Sequence, residues 1–298
     1  MKIRIHKTIL LLALSVCLLN AQKNNGLAFL TIDVDARAAA LAGAYTALTS
    51  DASAAYWNPA GLALAKEKNF NGMYNDMFAG IAHGFVAAQI SSGEHAMALS
   101  FNYQNVPGIE IREGSTDLPA GVVNTFSLAA AFSYATTYDE WHVGGSLKYL
   151  FEKLYLASAP GWAIDLGVLK KNFLGSVDFG LAIQNLGKMS KMDHQATKLP
   201  LMISTGLTYR IPSFFDDDLL VSSDIQWVRD QKIYMKLGVQ YYLTEYFVLR
   251  SGIRNGNEDL LWAGGFGIHY NAFRLDYAYA PLEFDLGSNN RFSLGINF

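Results

Sequence analysis

The most constraining feature of the sequence is an alternation of apolar and polar residues that begins at Glu67 and runs to the last residue. Successive side chains of a strand point to opposite faces, so a period of two predicts strands. Each alternating segment is about as long as a tilted strand that crosses a bilayer. Fourteen strands are predicted, at 67–77, 81–91, 94–106, 124–137, 141–154, 161–172, 175–187, 201–211, 219–229, 232–243, 246–254, 260–271, 273–281 and 290–298.

The last of these strands ends the sequence on an aromatic residue. In a bilayer, each unpaired backbone group of an open edge costs several kcal/mol, so this strand needs a partner. We expect 290–298 to pair with 67–77 and close a barrel. Its apolar face resembles the signal that barrel-assembly machinery recognises, and deleting Phe298 is expected to impair assembly. That face consists of Phe292, Leu294, Ile296 and Phe298.

The links between the predicted strands support a membrane barrel. Links after even-numbered strands are mostly short, and longer links follow odd-numbered strands, as at 107–123, 155–160, 188–200 and 282–289. The links 212–218 and 230–231 break this rule. Short turns at one rim, long loops at the other and an even strand number are typical of bacterial outer-membrane barrels. We therefore expect a location in the cell outer membrane with both termini periplasmic.

The alternative to a membrane barrel is a soluble β-sandwich or a lipocalin-like barrel, in which the apolar face points inward and the surface is charged. Composition distinguishes between the two. Charged residues make up only 16% of the chain, against roughly 25% in soluble proteins. The sequence therefore favours an all-β, fourteen-stranded antiparallel transmembrane β-barrel over residues 67–298. The net charge of −3 gives no reason to expect a nucleic acid partner.

The first residues, 1–21, are predicted to be a signal peptide. A basic start with Lys2, Arg4 and Lys7 precedes an apolar run at 8–19, and Ala21 offers a small residue for cleavage. The only cysteine, Cys17, lies in this segment and leaves a lipoprotein as an alternative, although Val16 is unusual before a lipidation site. After residue 21, no run of 18 uncharged apolar residues remains that could form a helical span.

Residues 22–66 form a different, alanine-rich segment, which we call the N-terminal segment. The stretch 35–48 could form a short helix, and Asp51 could cap a second helix at 52–57 that Asn58-Pro59 ends. The segment has too few large apolar side chains to fold alone, so it must pack against another part of the protein.

The segment contains a recognisable set of residues, namely Asp35, Arg37, Gly43, Asp51, Asn58, Pro59 and Gly61. Together with the fourteen strands, these residues resemble the PorV/PorQ family within the FadL-like outer-membrane proteins. The resemblance implies that the segment plugs the barrel lumen. It also implies a non-enzymatic role in type IX protein secretion, with secretion-system proteins or secreted cargo as partners. The broader group implies the alternative, a channel for hydrophobic small molecules such as long-chain fatty acids.

The sequence offers no catalytic, cofactor or metal motif. None of the six histidines has a His or Cys neighbour at metal-ligand spacing. No nucleophile–base pattern and no phosphate-binding glycine loop has a suitable context. The glycines at 264, 265 and 267 lie in a predicted strand and are expected to allow close packing against the N-terminal segment. We expect no enzyme activity and no cofactor.

Charged residues on the predicted lumen face are balanced in sign, which favours pairing over an ion-selective pore. We expect them to pair with one another and with Asp35, Arg37 and Asp51 of the N-terminal segment, so that Arg37→Ala loosens this segment. They are Lys148, Glu152, Asp165, Asp178, Asp224, Lys236, Arg250, Arg254, Arg274 and Asp276.

Several predicted loops carry apolar residues that could receive a hydrophobic ligand or a protein partner. Packing of the loops on themselves is the alternative. The outer-membrane lipid and the barrel-assembly machinery complete the expected partners. The apolar loop residues are Leu154, Tyr155, Leu156, Met189, Met192, Leu282, Phe284 and Leu286.

Overall fold

The computed structural model describes residues 26–112, 114–115, 118–192, 195–212, 218–255, 260–282 and 287–298. The predicted signal peptide, 1–21, lies outside the described residues, as do Phe284 and Leu286.

The wall of the molecule is a closed barrel of fourteen antiparallel strands, which confirms the predicted fold class. A small hairpin, β8–β9, lies in the link between β7 and β10 and is not part of the wall. The strands are β1 (Asn69–Asp76), β2 (Ala82–Ser92), β3 (His95–Ile111), β4 (Gly121–Tyr138), β5 (Trp141–Leu154), β6 (Ala157–Leu174), β7 (Val177–Met189), β8 (Lys191–Met192), β9 (Gln195–Ala196), β10 (Met202–Pro212), β11 (Asp218–Val228), β12 (Ile233–Tyr242), β13 (Phe247–Asn255), β14 (Leu260–Tyr270), β15 (Phe273–Pro281) and β16 (Ser288–Asn297).

The seam of the barrel joins the first strand to the last, as predicted. β16 pairs with β1 from Asn297 opposite Asn69 to Asn290 opposite Asp76, and with β15 on its other side. The side chains of Phe292 and Phe298 are 52% and 67% exposed. They lie on the outer side of the wall, where assembly factors can reach them, but a role in assembly stays a prediction.

The two faces of the wall are the reverse of those in a soluble barrel. On β12, Met235 and Leu237 are exposed, whereas Lys236 and Gln240 on the other face of the strand are buried. The same alternation recurs around the wall, with large apolar side chains outward and glycine, alanine and polar side chains inward. An apolar outer belt of this kind is stable in lipid and not in water.

The two rims of the barrel differ in their connections. Tight turns at 93–94, 139–140, 175–176 and 271–272 define one end, the turn rim; the opposite end is the loop rim. At the loop rim the strands run further than predicted: β6 starts at Ala157, which reduces the predicted link 155–160 to two residues. The β3–β4 pairing also continues past Pro107, because a register shift between Val106 and Ile109 lets the ladder resume.

Between residues 26 and 66, the described part of the N-terminal segment, the helices are short: α1 (Ala36–Ala40), α2 (Ala54–Trp57) and 3₁₀ turns at Ala28–Thr31 and Pro59–Leu64. A further 3₁₀ turn, Phe78–Gly80, joins β1 to β2. The helix predicted at 35–48 ends after one turn because Gly43, at φ 79°, donates its backbone N–H to Ala38 O at 2.9 Å. In the described part of the chain, no helix has the length and hydrophobicity needed to cross a membrane.

Three aromatic side chains organise this segment. The rings of Tyr45 and Tyr56 meet the indole of Trp57 edge-on, at centroid distances of 5.8 and 5.2 Å. The Trp57 indole N–H donates to Val34 O at 3.1 Å, and the Tyr56 hydroxyl donates to Ile32 O at 2.9 Å. These hydrogen bonds hold the extended backbone at Ile32 and Val34 against α2.

The segment runs through the lumen from the loop rim to the turn rim. The backbone N–H of Gly26 donates to Lys198 O in the β7–β10 link of the loop rim, at 3.2 Å. At the turn rim, the Phe298 N–H donates to Lys68 O at 2.9 Å. Gly26, the first described residue, therefore lies at the loop rim, while the periplasmic placement of the two termini stays a prediction. The reason for the position of Gly26 is an apolar cluster near the loop rim, in which Leu27 and Phe29 are buried with residues of β5, β6 and the β7–β10 link.

Candidate functional site

The site described here is the lumen with the N-terminal segment inside it. Helix α1 lies against β13–β16, and the turn Pro59–Leu64 lies against β2–β6 on the opposite side. Most of the segment is buried, with Asp35, Ala36 and Asn58 at 0% exposure. Both sides of the wall therefore contribute to its position, and they do so with different chemistry.

Arg274 of β15 is the centre of the contacts on the α1 side. Its guanidinium donates to Asp51 Oδ2 at 2.6 Å and to Asp35 Oδ2 at 3.3 Å, both in the N-terminal segment. A third carboxylate, Asp276 of the same strand, lies 2.8 Å from Arg274 Nε. Asp35 also accepts from Asn71 Nδ2 at 3.0 Å. One arginine thus links both ends of the α1–α2 region to the wall.

A second arginine extends this network. Arg250 Nη1 donates to Asp276 Oδ1 at 2.6 Å, and Arg250 Nε donates to Gln240 Oε1 at 2.8 Å. Gln240 Oε1 also accepts from Arg37 Nε at 3.2 Å. Arg37 therefore binds an amide here, and its guanidinium lies 5.5 Å from the centre of the Tyr45 ring. The predicted pairing of Asp35 and Asp51 with lumen charges is found, whereas Arg37 uses a neutral partner.

Three more predicted lumen residues contact the segment near Gly43. Asp224 Oδ2 accepts from the backbone N–H groups of Tyr45 and Thr46, at 3.1 and 2.9 Å. Lys236 Nζ donates to Gly43 O at 3.4 Å. Arg254 Nη1 pairs with Asp33 at 3.2 Å.

Burial and these cations act in opposite directions on the carboxylates of the segment. Burial raises the pKa of Asp35 above its usual range, and Arg274 offsets this only in part. Burial also acts to raise the pKa of Asp51 and Asp33. For Asp51 it is outweighed by Arg274 together with the hydrogen bond from Ser53 and the charge of Arg37. For Asp33 it is outweighed by several cationic neighbours together, of which Lys236 and Arg254 contribute most. The pKa values of Asp51 and Asp33 therefore lie below the usual range, so both carboxylates are ionised at neutral pH.

On the other side of the lumen the contacts are close approaches of backbone. A Cβ atom on Gly144 of β5 would lie 2.5 Å from the carbonyl carbon of Pro59, and one on Gly167 of β6 would overlap the Asn58 side chain. Asn58 Nδ2 donates to Val168 O in the wall at 3.2 Å and to Thr46 O at 3.0 Å. Glycine in these strands lets the segment touch the wall directly.

The remaining motif residues shape the turns of the segment. Pro59 occupies the first position of the 3₁₀ turn that Asn58 caps, through Ala60 N–H donating to Asn58 Oδ1 at 3.2 Å. A Cβ on Gly61 would lie 2.6 Å from Thr49 O, so this position also requires a minimal side chain.

Four predicted lumen charges lie away from these contacts. Lys148 and Asp165 pair with each other at 2.5 Å, both buried. Asp178 pairs with Lys171 close to the turn rim. Glu152 is buried near the loop end of β5. Pairing within the wall thus accounts for at least three of the four.

Sequence reasoning missed Asn185, which completes the Lys148–Asp165 pair. Its side-chain oxygen accepts from Lys148 Nζ at 2.9 Å, and its backbone N–H donates to Asp165 Oδ1 at 2.8 Å. Asn185 has a φ of 63° at a register shift between β6 and β7, which turns two successive side chains inward. The available signal was the polar pair Gln184-Asn185, which interrupts the alternation of the strand.

A cavity of about 450 Å³ opens at the loop rim beside α1. Its described lining includes Asp33, Lys236, Arg254 and Arg291 together with apolar side chains such as Leu261. The sequence did not identify Arg291 as a cavity residue, because the alternation of the last strand places it on the polar face but does not show which residues of other strands it meets.

The described apolar loop residues lie in three different environments. Leu154, Tyr155 and Leu156 at the tip of the β5–β6 hairpin are exposed, with Leu156 at 84%. In contrast, Met189 is buried with Leu199, and Met192 packs against the same cluster. Leu282 lines the cavity. The two methionines therefore pack against other residues of this protein, whereas the tip of the β5–β6 hairpin is exposed and accessible to a partner.

The residue types that commonly bind metals are dispersed in the described part of the chain. Among those residues, no three His, Cys, Asp or Glu side chains lie together as metal ligands would. His83 is buried at 0% exposure and its Nε2 lies 2.7 Å from Asn102 Oδ1.

Comparison with known proteins places the chain in a family. The family model described as type IX secretion system protein PorV matches residues 20–221, more than half of the chain. A comparison with curated protein sequences gives no match.

Several solved structures share the fold. The toluene transporter TbuX of Ralstonia pickettii has 14% identity and a TM-score of 0.65, covering 89% of this chain and 98% of that chain. The toluene transporter TodX of Pseudomonas putida has 12% identity and a TM-score of 0.68, with coverages of 89% and 98%. A FadL homologue of Pseudomonas aeruginosa has 12% identity and a TM-score of 0.61, with coverages of 89% and 98%. At these identities the likeness concerns the fold.

Proposed function

Because the chain belongs to the PorV family of type IX secretion system proteins, we propose that it is a non-enzymatic outer-membrane component of protein export. In this role the barrel anchors the protein in the membrane, and residues 22–66 remain in the lumen as a plug. The loop rim faces the cell exterior and receives secretion-system proteins or secreted cargo, while the C-terminal residue is periplasmic.

The bracing of the N-terminal segment carries this proposal. Arg274 holds Asp35 and Asp51 on one side, and Asn58 binds the backbone of β6 on the other. Axial passage of a molecule would break buried ion pairs, and removing one partner of a buried pair costs about 3–5 kcal/mol. A plug that is held in place in this way favours a structural role in protein export over a role as an open channel.

The hairpin tip of β5–β6 offers a surface for a partner. Tyr155 is 51% exposed and Leu156 is 84% exposed. Leu118, in the β3–β4 link of the same rim, is 79% exposed. Apolar groups that project from a rim favour contact with another protein.

Passage of hydrophobic small molecules is the second candidate. The cavity at the loop rim favours it, as does the shared fold with structures whose names describe toluene transporters. This function requires the N-terminal segment to move or a molecule to leave through the wall.

A reversible lock on the segment tests the two candidates against each other. A Cβ on Gly238 of β12 would lie 2.9 Å from Leu41 Cβ. This is shorter than the roughly 3.5–4.5 Å of a disulfide, so a small separation of β12 from the segment brings the two positions into range. We expect the double variant Leu41→Cys, Gly238→Cys to form this lock under oxidising conditions. Each single cysteine variant serves as the matched control.

The readouts are delivery of exported proteins to the cell surface and uptake of a labelled hydrocarbon, with and without reductant. Export that continues with the locked segment supports the proposal. Hydrocarbon uptake that stops on oxidation and returns on reduction, while export is unaffected by deleting the protein, would replace it with the channel.

A further inference from the structure

The outer face of the wall carries a groove of about 420 Å³ between β3 and β6, which we call the outer groove. It follows one row of residues that pair across neighbouring strands. Neighbouring strands are about 4.8 Å apart, so the five-membered row is about 19 Å long. This is somewhat more than the roughly 15 Å of hydrocarbon in one leaflet. The row consists of Phe101, Ala130, Tyr149, Trp162 and, beyond the groove on β7, Lys188.

The outer groove exists because Ala130 is the one small side chain in this row. It lies between Phe101 and Tyr149, whose side chains are 46% and 53% exposed. On the opposite wall the corresponding surface is filled by rings. There the ring of Tyr277 meets aromatic rings of β14 and β16 at centroid distances of 5.6 and 5.0 Å. A side chain from outside the protein can therefore occupy the space above Ala130.

The two ends of the row differ in charge and in position. Phe101 lies in the middle of β3, whereas Lys188 is the next-to-last residue of β7, at the loop rim. Lys188 is exposed, and no carboxylate in the described part of the chain forms an ion pair with it. The lysine that lines the groove itself, Lys148, is buried and is neutralised by Asp165. The site is therefore apolar along its length and cationic at its loop-rim end.

We propose that the outer groove holds one anionic, phosphate-bearing lipid of the leaflet at the loop rim. An acyl chain lies above Ala130, and the phosphate binds Lys188, because a lysine ammonium binds phosphate as a point charge. A lipid is favoured over a protein because this face of the wall is the one that meets hydrocarbon, and its charge lies where head groups begin. Bulk lipid surrounds every membrane barrel; the inference concerns one lipid selected by its head group, and it does not depend on the export role.

The test uses the full chain in phosphatidylcholine nanodiscs in which a minor part of the lipid carries bromine on its acyl chains. Bromine quenches the fluorescence of an indole that it contacts, and Trp162 lines the groove. The brominated lipid is either anionic phosphatidylglycerol or zwitterionic phosphatidylcholine. The signal of Trp162 is the difference between each protein and the same protein with Trp162→Phe, which removes the contribution of the other tryptophans.

We expect phosphatidylglycerol to bind beside Trp162 about fivefold more tightly than phosphatidylcholine, as one lysine near a membrane surface provides. Lys188→Gln should abolish this preference and leave quenching by phosphatidylcholine unchanged, a pattern that misfolding does not produce. Ala130→Phe should fill the groove and weaken quenching by both lipids. Lys68→Gln removes an exposed lysine near the turn rim and is the matched control, in which the preference should persist.

Each outcome decides the proposal. A preference for phosphatidylglycerol that Lys188→Gln and Ala130→Phe both reduce, and Lys68→Gln does not, supports it. Equal quenching by the two lipids overturns it, as does a preference that persists in Lys188→Gln or falls equally in Lys68→Gln. Weak quenching by both lipids together with two chains per nanodisc, measured by light scattering, would assign the groove to a second copy of the chain and overturn it as well.

Discussion

The wall at β13–β16 and the wall at β4–β6 hold the same segment, the first with charges in addition to close glycine contacts such as Gly252 against Leu41, the second mainly with close glycine contacts. On the first side, Arg274 reaches three carboxylates across a gap that side chains fill. On the second, Gly144 and Gly167 remove the gap altogether. Charge pairing fixes position through a few strong contacts that fail when one partner is lost. Close packing spreads the contact over backbone that no single side chain controls.

Arg274→Ala should have the largest effect on this arrangement. It leaves Asp35, Asp51 and Asp276 buried without their shared cation, which we expect to lower the free energy of unfolding by about 3–5 kcal/mol. Denaturant unfolding in detergent measures this, and limited proteolysis of residues 26–66 reports whether the segment is released. Lys170→Ala is the control, because its partner Glu140 is 75% exposed and such pairs contribute at most about 1 kcal/mol. Equal stability of Arg274→Ala and wild type would contradict the role of the charges.

Gly144→Val should have the next largest effect, because its side chain meets the Pro59 backbone. Overpacking of this kind destabilises by about 1–3 kcal/mol. The matched control is Gly145→Val, since a Cβ there lies 3.5 Å from its nearest neighbour, an ordinary contact. Unfolding midpoints of the two variants should differ clearly. If both behave alike, the close approach of Pro59 is not what holds this side.

Asn58→Ala tests the hydrogen bonds on the glycine side without changing its packing against Gly144. It removes the donors to Val168 O and Thr46 O and the cap of the 3₁₀ turn. We expect a loss of about 1–2 kcal/mol in the free energy of unfolding. Asn58→Asp keeps the cap and loses the donors, so its unfolding curve separates the two contributions. A wild-type curve for Asn58→Ala would leave close packing as the sole support.

Arg37→Ala should have the smallest effect, about 1 kcal/mol, because Arg37 has one hydrogen bond to a neutral amide and a ring contact with Tyr45. The segment should be cleaved by protease slightly faster than in wild type. Arg37→Lys should recover part of the ring contact but not the geometry of the hydrogen bond. If Arg37→Ala lowers the free energy of unfolding as much as Arg274→Ala does, Arg37 rather than Arg274 is the main contact between the segment and the wall.

The strands could be predicted because each has one lipid face and one lumen face, which imposes a period of two. The boundaries at the loop rim could not, since Pro107-Gly108 reads as a break while the pairing resumes beyond it. Asn185 escaped notice because a register shift turns it inward against the alternation. Such shifts depend on neighbouring strands, which a local pattern does not contain.

The partners of the N-terminal segment were predicted only in part. Opposite charges indicate which side chains could pair, so the prediction that Asp35 and Asp51 bind charged lumen residues is confirmed. Arg37 binds Gln240 because distance along the lumen, rather than charge, decides which side chain it meets. The cavity at the loop rim could not be predicted without the fold, because its lining residues Asp33, Lys236 and Arg291 are far apart in sequence.

The seam between β1 and β16 has a consequence for the order of assembly. Asn69 and Asn297 meet there although they are 228 positions apart in the sequence, and the N–H of Ala36 donates to Ser293 Oγ beside the seam at 2.7 Å. The segment is synthesised before any strand, whereas the wall around it is complete only when the last strand arrives. A chain threaded along the whole lumen is most simply enclosed by a wall that closes around it. Ser293 then forms its hydrogen bond with Ala36 only when the barrel closes. A barrel that lacks the segment would therefore be impaired at this last step of folding.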